Sequence, residues 1–455
     1  MALAFLLLLA ATSAMARSPA LVPGAHATLI SSEPAANSRL TASPSRIRLV
    51  FSEPVEGHLA RVTLVPASGQ PLRLRADADP RDVNAVIAVI DSIAPGGYRV
   101  NWRVVSADGH PVDGTFAFTF AVADSALGTP RVPPVAGTPN VEPNPDLQPA
   151  VEDDVWGPSL FGAPLIPAVF RGAGLGALMA LAGLLFFRVR AEPGIQAGDA
   201  RVRRVLMTAA VAGPLLLTAH VVTWIINTSP DHTLDMAWMS AALGTSVGKI
   251  ELWRIGLALL ALWAWWIARR TWFAVVFSAA ALAVSGATGH SAAMQPLLSV
   301  PAKSIHLLAS AVWVGGLLCL VVRPATDTLT GFVDDAERVS SAALVAVIAI
   351  ALSGVVQTLT FLPSVADVFT SPYGWLALAK TAGLLVLVAF GAYHRQRVMP
   401  GVSGAHPAPH SVVLRTLVRR ELVIMSIVIL LGGLLAYVPP PGEGDMSTPA
   451  SEPTS

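Results

Sequence analysis

The sequence predicts a small all-β sandwich or barrel followed by an all-α polytopic membrane bundle of about eight helices. Three observations predict it. Apolar and polar residues alternate with period two between His26 and about Val122. A proline-rich, acidic stretch comes next. Beyond it the chain runs through a succession of apolar segments, each about 20 residues long.

The alternation is explicit. Ile47, Leu49 and Phe51 alternate with Arg46, Arg48 and Ser52. Tyr98, Val100, Trp102 and Val104 alternate with Arg99, Asn101 and Arg103, and Phe116, Phe118 and Phe120 with Thr115, Ala117 and Thr119. Residues two apart on a strand share a face, so each run buries one side. Pro34, Pro44, Pro66, Gly69 and Pro95-Gly96-Gly97 punctuate the runs. Short strands at this spacing suit an antiparallel sandwich or barrel, and about 100 residues suffice for one core.

Composition agrees with a membrane protein. The chain has 455 residues, is 53% hydrophobic and only 13% charged. A soluble domain carries about 25% charged residues. The net charge of +1 gives no footprint for nucleic acid. Cys319 is the single cysteine, which excludes an intrachain disulfide and a cysteine-based zinc site.

Leu3 to Ala11 read as the apolar core of a secretory leader, although Met1-Ala2-Leu3-Ala4 lacks the usual basic residues. Cleavage after Ala16 leaves Arg17 first; cleavage after Ala25 leaves His26 first. The second is preferred, giving a leader at 1–25, because an N-terminal His26 offers its α-amine and its imidazole Nδ1 to one metal ion. Asp108 and His110 complete a candidate nitrogen/oxygen site, the ligation Cu(II) prefers. In extended backbone Asp108 and His110 point to one side. The same Asp108-Gly109-His110 also reads as a plain turn with His110 exposed.

The β region is expected over 26–123 and a semi-rigid Pro-rich acidic linker over 124–160. The membrane domain follows over 161–438 and a disordered tail over 439–455. Spans are expected near 164–187, 204–226, 250–268, 271–290, 303–322, 338–361, 374–394 and 419–438. Arginines cluster in alternate loops, at Arg188 to Arg204, at Arg269-Arg270 and at Arg395 to Arg420. The positive-inside rule puts these loops in the cytoplasm, with the N-terminal domain and the C-terminal tail outside, at a cell inner membrane.

Ionisable groups inside spans are functional candidates. His220, His290 and His306 are expected at the outer face, with Met294 four residues past His290. Imidazole and thioether together suit copper, thioether especially Cu(I). Lys380 and Glu421 lie in or at the ends of spans and serve equally well as structural ion-pair partners. His58 reads as an exposed loop residue.

Ser32-Glu33-Pro34, Leu49-Val50-Phe51-Ser52-Glu53-Pro54, Gly97-Tyr98-Arg99-Val100-Asn101-Trp102 and Ser106-Ala107-Asp108-Gly109-His110-Pro111 occur in order. With His26-Ala27-Thr28-Leu29 they resemble the periplasmic copper-binding protein family CopC. The resemblance implies an Ig- or cupredoxin-like fold and Cu(II) held by His26, its amine, Asp108 and His110, with Glu53 beside the metal. No methionine lies between His26 and Val122, so the Met-rich Cu(I) site of some relatives is not carried over. Farther on, Gly289-His290-Ser291, Tyr373-Gly374 and the pattern His306-x-x-Ala309-x-x-x-Trp313-Val314-Gly315-Gly316 resemble the CopD membrane domain. That resemblance implies copper handling at the inner membrane and makes His290 and His306 candidate ligands.

The expected function is therefore capture of Cu(II) outside the cytoplasm and passage of copper to or across the inner membrane. Copper, the bilayer and periplasmic copper chaperones are the expected partners. No Walker A motif and no acid/base or nucleophile set stands out, so no enzyme is expected. Two alternatives remain: a membrane redox protein using the histidines for haem or quinone, and a chaperone or sensor that transports nothing.

Overall fold

The computed structural model describes residues 27–106, 109, 111–121, 156–190, 200–229, 231–289, 296–322, 329–362, 364–402 and 407–441. The expected leader, nearly all of the linker and the end of the tail lie outside the described residues.

The β region holds strands β1 Leu29–Glu33, β2 Arg39–Leu40, β3 Arg46–Phe51, β4 Arg61–Pro66, β5 Leu72–Asp79, β6 Asp82–Val89, β7 Gly96–Val105 and β8 Pro111–Phe120. Their order is β1-β3-β6-β5-β4-β7-β8-β2, antiparallel except where β2 meets β8. β5 changes layer along its length. Leu72 to Leu74 pair with β4, and Arg75 to Asp79 pair with β6. The result is a half-barrel, in keeping with the all-β expectation.

The alternation chooses the core. Ile47, Leu49, Phe51, Val62, Leu64, Val100, Trp102, Phe116, Phe118 and Phe120 are buried together. Phe51 meets Trp102 edge-on at 5.2 Å, and Tyr98 stacks on Phe118 at 5.5 Å. Such pairs add about 0.5–1.5 kcal/mol beyond the area they bury. β7 and β8 pair from Gly96 opposite Phe120 to Val105 opposite Pro111. Five residues, 106–110, therefore join the two longest strands. His58 is exposed, as expected, on a 3-10 turn Gly57–Leu59, with its Nδ1 2.9 Å from Asp77.

A short ribbon, β9 Ser159–Leu160 with β10 Ala163–Pro164, leads into the helices. These are α1 Leu165–Arg190, α2 Ala200–Thr228, α3 Met236–Gly244, α4 Ser246–Trp266, α5 Thr271–Val284, α6 Pro296–Val322, α7 Leu329–Phe361, α8 Asp367–Thr370, α9 Pro372–Tyr393, α10 Met399–Val402 and α11 Pro407–Leu435. Among the described residues, α1, α2, α4, α5, α6, α7, α9 and α11 stand where the eight spans were expected.

Among the described residues, five segments are long and apolar enough to cross a membrane: Leu165–Val189, Ala200–Thr228, Pro296–Val322, Gly331–Phe361 and Pro372–Gly401. The other three fall short for physical reasons. α5 has 14 residues. α4 carries Lys249, Glu251 and Arg254, and α11 carries Arg415, Arg419, Arg420 and Glu421. Several helices also begin earlier than the apolar pattern suggested. α6 starts at Pro296, α7 at Leu329 and α11 at Pro407, and α6 contains Pro301, a residue that reads as a helix boundary in sequence.

α1 and α6 cross at two glycines. A Cβ on Gly183 would run into the Ala311 carbonyl and come within 2.8 Å of Gly315 Cα; one on Gly315 would strike the Gly183 backbone. Small residues let membrane helices approach to backbone contact. Overpacking alone costs about 1–3 kcal/mol, and here backbone is the obstacle. Gly315→Leu is expected to lower the yield of monodisperse protein and its Tm, read by size-exclusion and thermal unfolding in detergent, whereas Leu at the unobstructed Gly256 should not.

Candidate functional site

The segment joining β7 to β8 is anchored from below. Ser106 is fully buried, bridges Val55, and donates its hydroxyl to Glu53, which is 5% exposed. Glu53 thus braces the base of the segment that carries Asp108 and His110. Gly109 N donates to Ser106 O at 2.9 Å, and Gly109 adopts φ +93°. That left-handed backbone favours glycine. His26, Asp108, His110, His290 and Met294 lie outside the described residues. Among the described residues no group of three or more His, Cys, Asp or Glu side chains is placed to hold a metal.

The half-barrel is seated on the bundle at this segment. Trp224 of α2 donates its indole Nε1–H to Gly109 O at 3.1 Å. Ser246 N, at the start of α4, donates to Glu56 Oε1 at 2.8 Å. A carboxylate there satisfies a free amide and complements the helix dipole. The Arg61 guanidinium lies 5.0 Å over the Trp238 ring. Burial pushes the Arg61 pKa down, helped by Arg73 and opposed by Asp231. Leu59 and Val105 of the half-barrel share an apolar cluster with Val221, Trp224, Trp238 and Val247.

Directly beneath Gly109 lies a cavity of about 20 Å³, lined among others by Arg171, His220, Glu251, Thr288, Gly289 and Tyr437. It has room for a single water-sized group. Its walls are one polar network. Glu251 and Arg254, both fully buried, form an ion pair within α4. Arg171 Nη1 of α1 lies 3.9 Å from Glu251 Oε1, and its Nη2 donates to Thr288 Oγ1 at 2.9 Å. His220 of α2 places Nδ1 3.4 Å from Arg254 Nη2 and 3.6 Å from Glu251 Oε2. Its Nε2 lies 2.8 Å from the Tyr437 hydroxyl. Lys303 of α6 donates to Thr288 O at 2.6 Å. Arginine can only donate, so the Nδ1 facing it accepts and Nε2–H donates to Tyr437.

His220 was expected near the outer face as a candidate ligand. It is buried, and both ring nitrogens are engaged, so a metal or haem iron would have to displace Tyr437 or Arg254. His306 departs from expectation more clearly. It was expected to open its span and flank a short outer loop with His290. α6 begins at Pro296, so His306 lies about 15 Å along the helix, where Nδ1 meets Ser353 Oγ of α7 at 3.1 Å. Arg171, Glu251, Arg254 and Lys303 were missed by the sequence reading. Their signal was present, since each is an ionisable residue within a stretch otherwise apolar.

Comparison with known proteins locates both halves. The CopC domain matches residues 29–121, the copper resistance protein D-like N-terminal domain 163–300, and copper resistance protein D 334–435. The Bacillus subtilis (strain 168) copper transport protein CutJ is 24% identical over 432 residues, covering 87% of this chain and 73% of that one. Copper resistance protein C of Escherichia coli is 38% identical over 105 residues, covering 21% of this chain and 81% of that protein. The chain belongs to the CopC–CopD fusion family. A crystal structure of CopC from Methylosinus trichosporium OB3b matches 22% of this chain and 100% of its own, at 26% identity and TM-score 0.21.

In this CopC–CopD fusion the seat joins the CopC-matching segment to the CopD N-terminal one. Gly109, Glu56 and Arg61 face Trp224, Ser246 and Trp238. The Trp313-Val314-Gly315-Gly316 motif falls between the two CopD matches rather than inside either.

Removing one partner from a buried ion pair strands the other, at about 3–5 kcal/mol. Glu251→Gln is therefore expected to lower the Tm of the detergent-solubilised protein by more than His58→Ala does, and to loosen the seat, read as faster hydrogen exchange at Gly109 and β8. An unchanged Tm would mean that water already satisfies the guanidinium groups.

Proposed function

We propose that this protein captures Cu(II) outside the cytoplasm at His26, Asp108 and His110 and hands copper into the membrane bundle at the seat beneath. One observation carries the reading. Gly109, which separates Asp108 from His110, and Gly289, which precedes His290, line the same cavity. The described residues that adjoin the proposed ligands Asp108, His110 and His290 in sequence therefore meet at one small space.

The chemistry follows from charge. Arg171 and Arg254 stand at or beside the cavity, and at an effective dielectric near 20 a unit cation about 4 Å from a guanidinium is opposed by about 4 kcal/mol. A free copper ion has no reason to rest there. Ligand-to-ligand exchange, from His110 to His290, avoids a free ion. Glu53 holds Ser106 and through it the outer segment. His306, deeper in α6, serves as a later ligand on the path. The arginine-rich loops face the cytoplasm, and the half-barrel stands on the periplasmic side of an inner membrane. The protein catalyses no reaction. The engaged nitrogens of His220 weigh against its serving as a haem ligand.

Three variants test this. One residue added before His26 is expected to weaken Cu(II) binding by at least about tenfold, or 1.4 kcal/mol, because the amine leaves the chelate. His110→Ala should do likewise, and Asp108→Ala less. His290→Ala is expected to keep Cu(II) binding yet cut copper entry into proteoliposomes, measured as total copper inside. Wild-type entry at matched reconstitution would contradict the handoff.

A further inference from the structure

The far end of the bundle carries a second buried polar pair. α9 does not stop at Tyr393 but continues through a π-helical turn, His394–Val398, into α10. Single π turns inside helices are found frequently at functional sites. This one turns His394 inward, 7% exposed, while Arg395, Gln396 and Arg397 stay outside. Glu421 of α11 is 1% exposed. Its Oε2 lies 3.4 Å from His394 Nδ1. Among the described residues neither Glu421 Oε2 nor His394 Nε2 has a hydrogen-bond partner.

The contact is longer than a closed ion-pair hydrogen bond. A charge-assisted N–H···O bond closes to about 2.7–2.9 Å. Two ligand atoms that share one metal at about 2.0–2.2 Å, at a tetrahedral angle, stand about 3.4 Å apart. Trp313 of α6 hydrogen-bonds the Glu421 carboxylate and orients it. Met425 is 6% exposed and sits one turn beyond Glu421, on the same face of α11. Met399, just past the π turn, packs on the apolar cluster that contains Val398 and Met425. Among the described residues no arginine or lysine is paired with Glu421, and Arg419 and Arg420 are exposed.

We propose that His394, Glu421 and Met425, with Met399 beside them, form a metal site at the end of the bundle remote from the half-barrel. Imidazole and thioether suit a soft monovalent cation of the Cu(I) type, and the carboxylate supplies the balancing negative charge. The site lies about 32 Å along α9 from Tyr373, which packs in the cluster at the seat. It is thus one membrane thickness from the point of entry. The identity of the ion rests on the copper reading above; the site itself does not. Binding here involves no electron transfer.

The test uses the full chain in nanodiscs with Ag(I) as probe, counted by equilibrium dialysis, and Cu(II) at the outer site followed in parallel by electron paramagnetic resonance. Wild-type protein is expected to hold one more silver equivalent than His394→Lys or Glu421→Gln. His394→Lys keeps an ion pair with Glu421 and removes the ligand, so a structural pair alone would leave the count unchanged. His394→Cys is expected to restore the equivalent, and Met425→Leu to weaken it about tenfold. Where His394→Lys does not fold, His394→Gln decides in the same way. Equal silver counts in wild type and these His394 and Glu421 variants overturn the proposal. Loss of Cu(II) binding by wild type would instead overturn the outer site and leave this one standing.

Discussion

A carboxylate with no exposed surface, Glu251, sets the terms for the end of the bundle that meets the half-barrel. Such a group costs several kcal/mol to bury and is held only by partners of good geometry. Here the partners come from separate helices: Arg254 from α4 itself, Arg171 from α1 and His220 from α2, with Tyr437 beyond α11 closing the ring on His220. Meeting that one requirement fixes the rotation of α1, α2 and α4 about their axes. It also leaves a small cavity at the ends that face the half-barrel.

The half-barrel closes that cavity. Its docking surface is the segment between the two longest strands, where left-handed Gly109 exposes a carbonyl to Trp224. A Cβ at Gly109 would make only ordinary contact with Val247 at 3.4 Å and the Trp224 indole at 3.6 Å, so the φ of +93° rather than space calls for glycine. Glu56 at the N-terminus of α4 and Arg61 over Trp238 hold the domain at two further points. Hydrogen bond, helix dipole and cation–π contact are each weak alone; with the apolar contacts of Leu59 and Val105 they define one orientation.

Much of this was legible in the sequence. Period-two runs such as Phe116-Phe118-Phe120 named the buried face of the sheet, because alternation maps directly onto strand geometry. The helical segments were legible from apolar length. Helix starts were not: a proline reads as a boundary, yet α6 contains Pro301, so His306 lies farther along its helix than the apolar pattern suggested. The network around Glu251 was legible only as isolated charges. Its pairing joins Arg171, His220, Glu251 and Tyr437, which are far apart in sequence, and no local period encodes contacts of that range. The π turn at His394 left no local signal at all.

The central claim is that copper leaves the half-barrel while that domain sits on its seat. The most direct test is to lock the seat. Glu56→Cys with Ser246→Cys joins the carboxylate position to the α4 N-terminus it already touches, in a Cys319→Ser background. Copper entry into sealed proteoliposomes is then compared with the disulfide formed and reduced. The account predicts the same entry rate in both states. Entry that stops when the bridge forms and resumes on reduction would contradict it, because the domain would then have to leave its seat to deliver.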